Sequence, residues 1–285
     1  MPQKQLTAPD IQARKGGQKL AVLTAYDYPT GLLADEAGAD MVLVGDSLGM
    51  VCLGLPDTLG VTMADMLHHT KATARAVKKA LVVADMPFLS YQTSVSDAVQ
   101  NAGRFLQEAG ARAVKLEGGA AFAPHIRAML AAGIPVMGHL GLTPQQLAVL
   151  GGFKAQGKTA RAARALVENA KALAQAGCFS LVLESVPAEV AERITAEVEI
   201  PTIGIGAGPH CDGQVLVFHD VLGLCPGLRP GFVKQYADLW TPAREALLAY
   251  CAEVRAGRFP GEAQTRRMDP EEYTAFTALE EYGEE

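Results

Sequence analysis

The sequence lacks the features that would associate it with a membrane or a nucleic acid. No uninterrupted apolar stretch approaches the roughly 20 residues that a transmembrane helix needs. The first 18 residues are polar and have no apolar centre, so we expect no signal peptide. Basic residues are not in excess, because 25 Lys and Arg stand against 31 Asp and Glu, giving a formal net charge of −6. We therefore expect neither a membrane nor a nucleic acid as a partner.

Cysteine is scarce, and its positions are dispersed. The chain has five cysteines, Cys52, Cys178, Cys211, Cys225 and Cys251. None of them forms a close pair with the spacing of a metal site. An odd, scattered set without a secretion signal predicts reduced thiols in the cytoplasm, most of them acting as small core residues. The starting expectation is a cytoplasmic enzyme.

Short apolar runs alternate with helical patterns along most of the 285 residues. The strands are expected at residues 19–24, 41–44, 81–84, 112–117, 135–138, 180–183, 201–205 and 214–218. Helical patterns run up to residue 37 and over 62–79, 96–109, 121–132, 160–176, 188–197 and 241–256.

Strands that alternate with helices indicate a parallel sheet. Eight strand–helix units predict an α/β fold of one domain, a (β/α)8 TIM barrel, with an open doubly wound sheet as the alternative. No internal linker is visible. We therefore assign residues 1–262 to the barrel and 263–285 to an acidic C-terminal tail.

Polar residues stand at the ends of five consecutive predicted strands: Asp46, Asp85, Glu117, His139 and Glu184. In a parallel barrel these carboxyl ends surround one cavity, so the side chains should converge there. Alternatively, each could cap the helix that follows or pair with a surface lysine. Repetition at five successive strands favours a common site.

Acids without cysteine partners predict a hard, oxygen-rich metal site that suits Mg²⁺ best and Mn²⁺ or Co²⁺ next. Lys115 lies two residues before Glu117, so both side chains share one face of the strand. A lysine that faces the interior needs a partner, and we expect it to hold a substrate carboxylate or a neighbouring acid. A Schiff-base nucleophile and a buried salt bridge with Glu117 remain open.

Glu184 follows the apolar residues 181–183, and such surroundings make a carboxylate a better base. We therefore interpret it as a general base rather than another metal ligand, with a helix cap as the alternative. His139 either binds substrate or is a hydrogen-bonded structural histidine. The segment 204–208, Gly-Ile-Gly-Ala-Gly, resembles a phosphate-binding turn, but its glycines could simply let two loops approach closely.

These motifs together resemble the ketopantoate hydroxymethyltransferase family. The matching segments span the family's order from about residue 20 to residue 223. They comprise Glu184 and residues 24–27, 44–49, 115–119, 138–145, 156–158, 204–208 and 212–214.

The resemblance implies a magnesium-dependent barrel enzyme. Such an enzyme transfers a hydroxymethyl group from 5,10-methylenetetrahydrofolate to 3-methyl-2-oxobutanoate, giving ketopantoate. By motif position, the metal site corresponds to Asp46, Asp85 and Glu117. The substrate contacts correspond to Asp46, Ser47, Asp85 and Lys115, and the proton acceptor corresponds to Glu184. The resemblance also implies a cytoplasmic homo-oligomer, a decamer.

Two other functions fit part of the pattern. A barrel lyase or mutase of the isocitrate lyase type also stabilises an enolate with acids at strand ends. It would normally need a cysteine in an active-site loop, and we find no such cysteine in this sequence. A non-catalytic barrel that binds a keto acid would not require a base such as Glu184.

Overall fold

The computed structural model describes residues 4–227 and 230–280. It divides the chain into two compact units, residues 1–237 and 238–285. The unit that contains the barrel thus ends at Ala237, before the domain boundary expected at residue 262. The assignment of 1–262 to the barrel domain and 263–285 to a tail stays a prediction.

Eight parallel strands close into a barrel in which each strand pairs with its neighbour in sequence, and β8 pairs with β1. The (β/α)8 prediction is therefore confirmed, and the open sheet is wrong. The strands are β1 (Leu20–Thr24), β2 (Met41–Val44), β3 (Leu81–Asp85), β4 (Ala113–Glu117), β5 (Val136–Gly141), β6 (Ser180–Glu184), β7 (Thr202–Ile205) and β8 (Gly213–Leu216).

Within residues 4–227, ten α-helices accompany these strands along the chain. They are α1 (Ala8–Gln12), α2 (Tyr28–Glu36), α3 (Leu48–Val51), α4 (Met63–Ala76), α5 (Val95–Gln107), α6 (Ala123–Ala131), α7 (Leu147–Leu150), α8 (Ala160–Ala176), α9 (Ala188–Glu197) and α10 (Phe218–Leu222). Local sequence sets several of their ends. Thr62, for example, accepts a hydrogen bond from the Asp65 N–H at 3.2 Å and caps α4, as its position in the sequence predicts.

The core consists of two layers on opposite sides of the strands. One layer lies between the strands and the outer helices and contains residues such as Val42, Val82 and Leu116. The other fills the barrel interior and contains residues such as Leu43, Val83 and Met137. Successive residues of a strand point to opposite faces, so each strand supplies both layers. The strands therefore appear in the sequence as unbroken apolar runs.

The structure corrects three details of the sequence interpretation. β5 continues to Gly141, so His139 lies inside the strand. Gly138 has a packing role and does not end β5. An added Cβ there would meet Leu173 of α8 at 3.0 Å, so the glycine allows the helix to pack closely on the strand. β8 ends at Leu216 and Phe218 begins α10, where its N–H donates to Thr24 Oγ1 at 2.9 Å.

The third correction concerns the count of strand–helix units. Residues 206–212 connect β7 to β8, and this fully described connection contains no helix. Eight strands are present, but the seventh lacks the helix that the alternation predicts.

The described residues of the second unit form two α-helices, α11 (Trp240–Arg255) and α12 (Pro270–Glu280). The expected acidic tail is therefore partly helical, and its last residues, 281–285, lie outside the described part of the chain. Among the residues that the structure describes, no helix combines the length and the hydropathy required to cross a membrane.

Candidate active site

Strand register brings the predicted site residues onto one face of the sheet. Asp85 pairs with Lys115 across β3 and β4, and Glu117 pairs with His139 across β4 and β5. Gly141, two residues after His139, pairs with Glu184. Because alternate residues of a strand point to the same side, all of these side chains face the barrel interior. The predicted convergence is thus built by the pairing of four neighbouring strands.

Lys115 forms a buried ion pair with Asp85. Its Nζ lies 2.8 Å from Asp85 Oδ1 and 3.3 Å from His139 Nδ1. Both Lys115 and Asp85 are at most 5% exposed. A buried lysine requires such a partner, because an unpaired charge in the core is strongly unfavourable. The salt bridge suggested by the sequence exists, but its acid is Asp85 rather than Glu117.

Four acidic or basic groups shape each other's protonation in this site. Burial raises the pKa of Asp46 well above its ordinary value, and the charges of Asp85 and Glu117 raise it further. Burial also raises the pKa of Asp85, although Lys115 opposes the shift. Burial alone would lower the pKa of Lys115, but the three carboxylates together raise it, so the ammonium stays protonated.

His139 connects Glu117 to Glu184. Its Nδ1 lies 3.3 Å from Glu117 Oε1, and its Nε2 lies 3.2 Å from Glu184 Oε2. Burial and Lys115 lower the pKa of His139, but the contacts with these two acids outweigh them and raise it to about 9. Burial opposes ionisation of Glu117, yet His139 and Lys115 hold its pKa below the ordinary value. His139 therefore faces both carboxylates as an imidazolium.

Glu184 lies at the edge of this group. Its side chain is 18% exposed, whereas that of His139 is 3% exposed. The Glu184 carboxylate is thus the most accessible acid of the group, and one of its oxygens contacts the His139 ring. The residue that follows, Ser185, has a φ of +48°, a conformation that non-glycine residues rarely adopt. Such backbone strain is common next to reactive groups.

Ser47 and Asp46 follow β2 and complete the cavity wall. The Asp46 N–H donates to Asp85 Oδ2 at 3.1 Å. Ser47 is half-buried, and its Oγ lies 2.8 Å from the hydroxyl of Tyr26. Gly45 lies between the two polar groups, since an added Cβ would meet Ser47 Oγ at 3.0 Å and Asp85 Oδ2 at 3.4 Å. The Ser47 hydroxyl and the Asp85 carboxylate thus flank one small space.

Two further residues belong to the site, and the sequence analysis assigns neither of them a role. Gln145, in the turn after β5, donates from Nε2 to Asp46 Oδ2 at 2.9 Å. Tyr91 donates to Gln145 Oε1 at 2.8 Å and accepts from the Glu117 N–H at 3.1 Å. Gln145 belongs to the family-like segment 138–145, but the sequence contains no sign that its amide would be buried.

The donor set and its charge fit a divalent cation. Across residues 4–227 and 230–280, no three His, Cys, Asp or Glu side chains are already arranged to hold a metal ion. Nevertheless, Asp46, Asp85 and Glu117 are buried together with the single ammonium of Lys115. All three carboxylates supply the hard oxygen donors that Mg²⁺ prefers, and burial together with their mutual repulsion raises the pKa of Asp46. A divalent cation held among them would offset that repulsion and favour the ionised carboxylates.

The glycine segment 204–208 serves close packing. An added Cβ at Gly206 would meet the Phe232 ring at 2.6 Å, and one at Gly208 would meet Ala188 at 2.5 Å. Both glycines have positive φ values, +61° and +77°. The close approach of neighbouring segments accounts for these residues, whereas phosphate binding there stays a prediction.

Comparison with known proteins decides the family. The model of the family described as ketopantoate hydroxymethyltransferase matches residues 5–262. The chain belongs to this family. It is therefore an enzyme, a transferase, and the resemblance inferred from the motifs is confirmed.

Curated relatives are similar along nearly their whole length. A 3-methyl-2-oxobutanoate hydroxymethyltransferase from Syntrophobacter fumaroxidans is 59% identical, covering 97% of this chain and 98% of that protein. A protein of the same name from Moorella thermoacetica is 61% identical, covering 90% of this chain and 95% of its own.

Solved structures that resemble this chain share its fold at low sequence identity. A 2,3-dimethylmalate lyase of the PEP mutase/isocitrate lyase superfamily superposes with a TM-score of 0.59 at 16% identity, covering 97% of this chain and 96% of that one. A phosphonopyruvate hydrolase gives a TM-score of 0.59 at 14% identity, covering 97% of both chains. At this identity the likeness concerns the barrel architecture.

Proposed function

We propose that the chain transfers a hydroxymethyl group from 5,10-methylenetetrahydrofolate to C3 of 3-methyl-2-oxobutanoate, which gives ketopantoate, an intermediate of pantothenate and coenzyme A synthesis. The observation that carries the proposal is the convergence of acids, one lysine and one base at neighbouring strand ends in a member of this family. The reaction is an aldol-type addition. It requires a group that binds a carboxylate, a charge that stabilises an enolate, and a base.

Asp46, Asp85 and Glu117 would hold Mg²⁺, because they supply buried, clustered oxygen donors whose ionised forms a cation would stabilise. Bound there, the cation would polarise the keto group of the substrate and offset the negative charge that develops on its oxygen. Burial keeps bulk water away from the three carboxylates, so their charge acts at close range.

Lys115 would bind the carboxylate of the keto acid, with Asp46, Ser47 and Asp85 completing the pocket. Its position beside Asp85, at 2.8 Å, keeps the amine protonated. A protonated amine is not nucleophilic, so the Schiff-base role is disfavoured. The Ser47 hydroxyl flanks the same space as Asp85 and can donate a hydrogen bond to the substrate.

Glu184 would remove the proton from C3 of the substrate. His139 would hold the Glu184 carboxylate in place. The Glu184 carboxylate is the most exposed acid of the group, and the ring behind it at 3.2 Å fixes its orientation. The C3–H bonding electrons then form the enolate, whose carbon attacks the one-carbon unit of the folate. Hydrolysis of the folate's methylene group supplies this unit as formaldehyde, with both C–N bonds broken and tetrahydrofolate released. Formation of the C–C bond converts the formaldehyde oxygen into an alkoxide, which takes the proton held by Glu184 and becomes the hydroxyl group. His139 contacts Glu117 on one side and Glu184 on the other, and its substrate-binding role stays a prediction.

The two rival functions are less well supported. The lyase or mutase of the isocitrate lyase type rests on a likeness of fold at 14–16% identity. A non-catalytic keto-acid-binding barrel would leave the exposed Glu184 carboxylate, oriented by His139, without a task.

By family resemblance we also propose that the chain acts as a cytoplasmic homodecamer, which sedimentation analysis of the purified protein would test.

One assay tests the central proposal. Purified protein is incubated with Mg²⁺, 3-methyl-2-oxobutanoate and 5,10-methylenetetrahydrofolate, and ketopantoate is measured by mass spectrometry. Ketopantoate should form, should disappear on chelation, and should return with added Mg²⁺. Full turnover in rigorously metal-free protein would contradict the metal role, and absence of product with Mg²⁺ present would contradict the proposed reaction.

A further inference from the structure

Gln145 lies between the acids of the site, and the proposed chemistry assigns it no role. Its Nε2 donates to Asp46 Oδ2 and to the carbonyl oxygen of Met86, each at 2.9 Å. Its backbone N–H donates to Glu117 Oε2 at 3.0 Å. One residue thus holds an oxygen of Asp46 and an oxygen of Glu117, which come from different strand ends.

We propose that Gln145 is the positioning residue that orients Asp46 and Glu117 toward a divalent cation, with Tyr91 fixing its amide. The inference rests on the proposed function only in that it assumes those acids bind metal. Gln145 itself touches no reacting atom. Its effect therefore concerns the affinity and geometry of the cation site.

The hydrogen bonds determine which way the amide points. The Met86 carbonyl can only accept, so the group facing it must be Nε2 rather than Oε1. The same Nε2 then directs its second hydrogen at Asp46 Oδ2. On the other side, Oε1 accepts from Gln92 Nε2 at 3.0 Å and from the Tyr91 hydroxyl at 2.8 Å, whose single hydrogen also faces the Glu117 carbonyl oxygen at 3.0 Å. All four hydrogen-bonding positions of the amide are used, so it cannot rotate without losing buried hydrogen bonds.

This arrangement sets the roles of the two carboxylates. Asp46 Oδ2 must be an acceptor, because it faces an N–H group. Its other oxygen is left for a further partner, and Glu117 is similarly fixed through Oε2 while Oε1 faces His139. Hydrogen bonds of this kind around a metal site orient its ligands before the ion arrives.

A simple anchor for the loop after β5 would not need this network. Backbone hydrogen bonds already fix the loop, from the Leu142 N–H to Glu184 O and from the Gln146 N–H to Thr143 O, each at 2.8 Å. Gln145 is 4% exposed, and its amide reaches past the loop to Asp46, a residue 99 positions away in sequence. A structural role alone would explain why Gln145 is buried. It would not explain why its amide bonds to Asp46 and its backbone N–H bonds to Glu117.

The test measures binding of Mn²⁺ to the full chain by electron paramagnetic resonance, without either substrate. Gln145→Met keeps the length of the side chain and removes its donors and acceptors. Loss of such an orienting contact typically weakens metal binding about 10- to 100-fold, and we expect the Kd to rise by that amount. Gln146→Ala is the matched control, since this neighbouring glutamine is exposed and should keep the wild-type Kd.

Tyr91→Phe provides a second variant that retains the ring. If Tyr91 acts through Gln145, the double variant should bind Mn²⁺ no more weakly than Gln145→Met alone. Should Gln145→Met fail to fold, Gln145→Asn, which keeps the amide but shortens its reach to Asp46, carries the test through its own rise in Kd. Thermal unfolding of each variant separates lost stability from lost affinity.

Each outcome decides between the claims. A folded Gln145→Met variant with the wild-type Kd and the wild-type Mn²⁺ spectrum would overturn the inference and leave the proposed function intact. A wild-type chain that binds no Mn²⁺ would overturn both the metal proposal and this inference. A chain that binds Mn²⁺ through Gln145 but forms no ketopantoate would support the inference while contradicting the proposed reaction.

Discussion

The position of Glu184 depends on the glycine opposite it, and this dependence can be tested by adding one methyl group. Gly141 pairs with Glu184 and has a φ of +98°. A Cβ at Gly141 would overlap the Glu184 carbonyl oxygen and would lie 2.8 Å from Val186 Cγ1. Carbon atoms in contact are normally about 3.5–4.0 Å apart, so the neighbouring strand must move by about 1 Å.

A shift of that size acts on the base itself. A misplacement of about 1 Å in a catalytic group can reduce the rate about 100-fold. We therefore expect Gly141→Ala to slow the exchange of the C3 proton of 3-methyl-2-oxobutanoate with deuterated water by about that factor. Exchange is followed by NMR with Mg²⁺ and without folate, so it reports the step assigned to Glu184.

Gly133→Ala supplies the matched control. Gly133 has a φ of +81°, and an added Cβ there would meet nothing within 4 Å. Both variants carry the strain of a left-handed residue, about 1–2 kcal/mol, which urea unfolding should detect. Only Gly141→Ala also places a Cβ against the Glu184 carbonyl oxygen. This variant should therefore lose more stability than Gly133→Ala, and it alone should slow the exchange of the C3 proton. Wild-type exchange in a folded Gly141→Ala variant would refute the idea that strand pairing positions the base.

The remaining predictions concern Glu184, Lys115 and His139. Glu184→Gln should keep substrate and metal binding by calorimetry but reduce proton exchange about 100- to 10,000-fold; exchange near the wild-type rate would remove Glu184 as the base. Borohydride should trap no adduct between Lys115 and the keto acid, whereas an adduct mapped to this residue by mass spectrometry would replace the electrostatic role with a Schiff base. His139 has a pKa raised from 6.5 to about 9, so its contribution to stability is complete below the lower value and is lost as the pH rises through the higher one. The free energy of unfolding of metal-free protein should fall over that range in urea titrations, and an equal fall in His139→Gln would count against this assignment.

Much of the fold follows from local patterns in the sequence. The bounds of β2, α8 and α9 agree with the sequence prediction at every residue. These segments combine an apolar run or a helical spacing with clear ends, such as the left-handed Gly177 after α8. Prediction is weaker where a glycine has a packing role. The sequence pattern predicts that β5 ends at Gly138, yet the strand continues to Gly141. The glycine is there because α8 packs directly on it.

The outer helices could not all be inferred in this way. Alternation predicts a helix after every strand, but residues 206–212 return directly from β7 to β8. Three hydrogen bonds hold this short connection: Asp212 Oδ2 accepts from the N–H and the hydroxyl of Thr202, and Gln214 Nε2 donates to Gly208 O at 2.9 Å. Such bonds depend on where the chain already lies, and the sequence pattern does not contain that information.

The same distinction separates the two groups of residues in the site. Asp85, Lys115 and Glu117 lie on or at the end of strands, so period-two alternation and parallel pairing determine where their side chains point. Gln145 lies in a turn, and its contact with Asp46 joins residues 99 positions apart. Only the folded path of that turn reveals that its buried amide reaches Asp46 while its backbone N–H reaches Glu117. Strand-end chemistry can therefore be inferred from sequence alone, whereas the contacts that orient it emerge when the loops are in place.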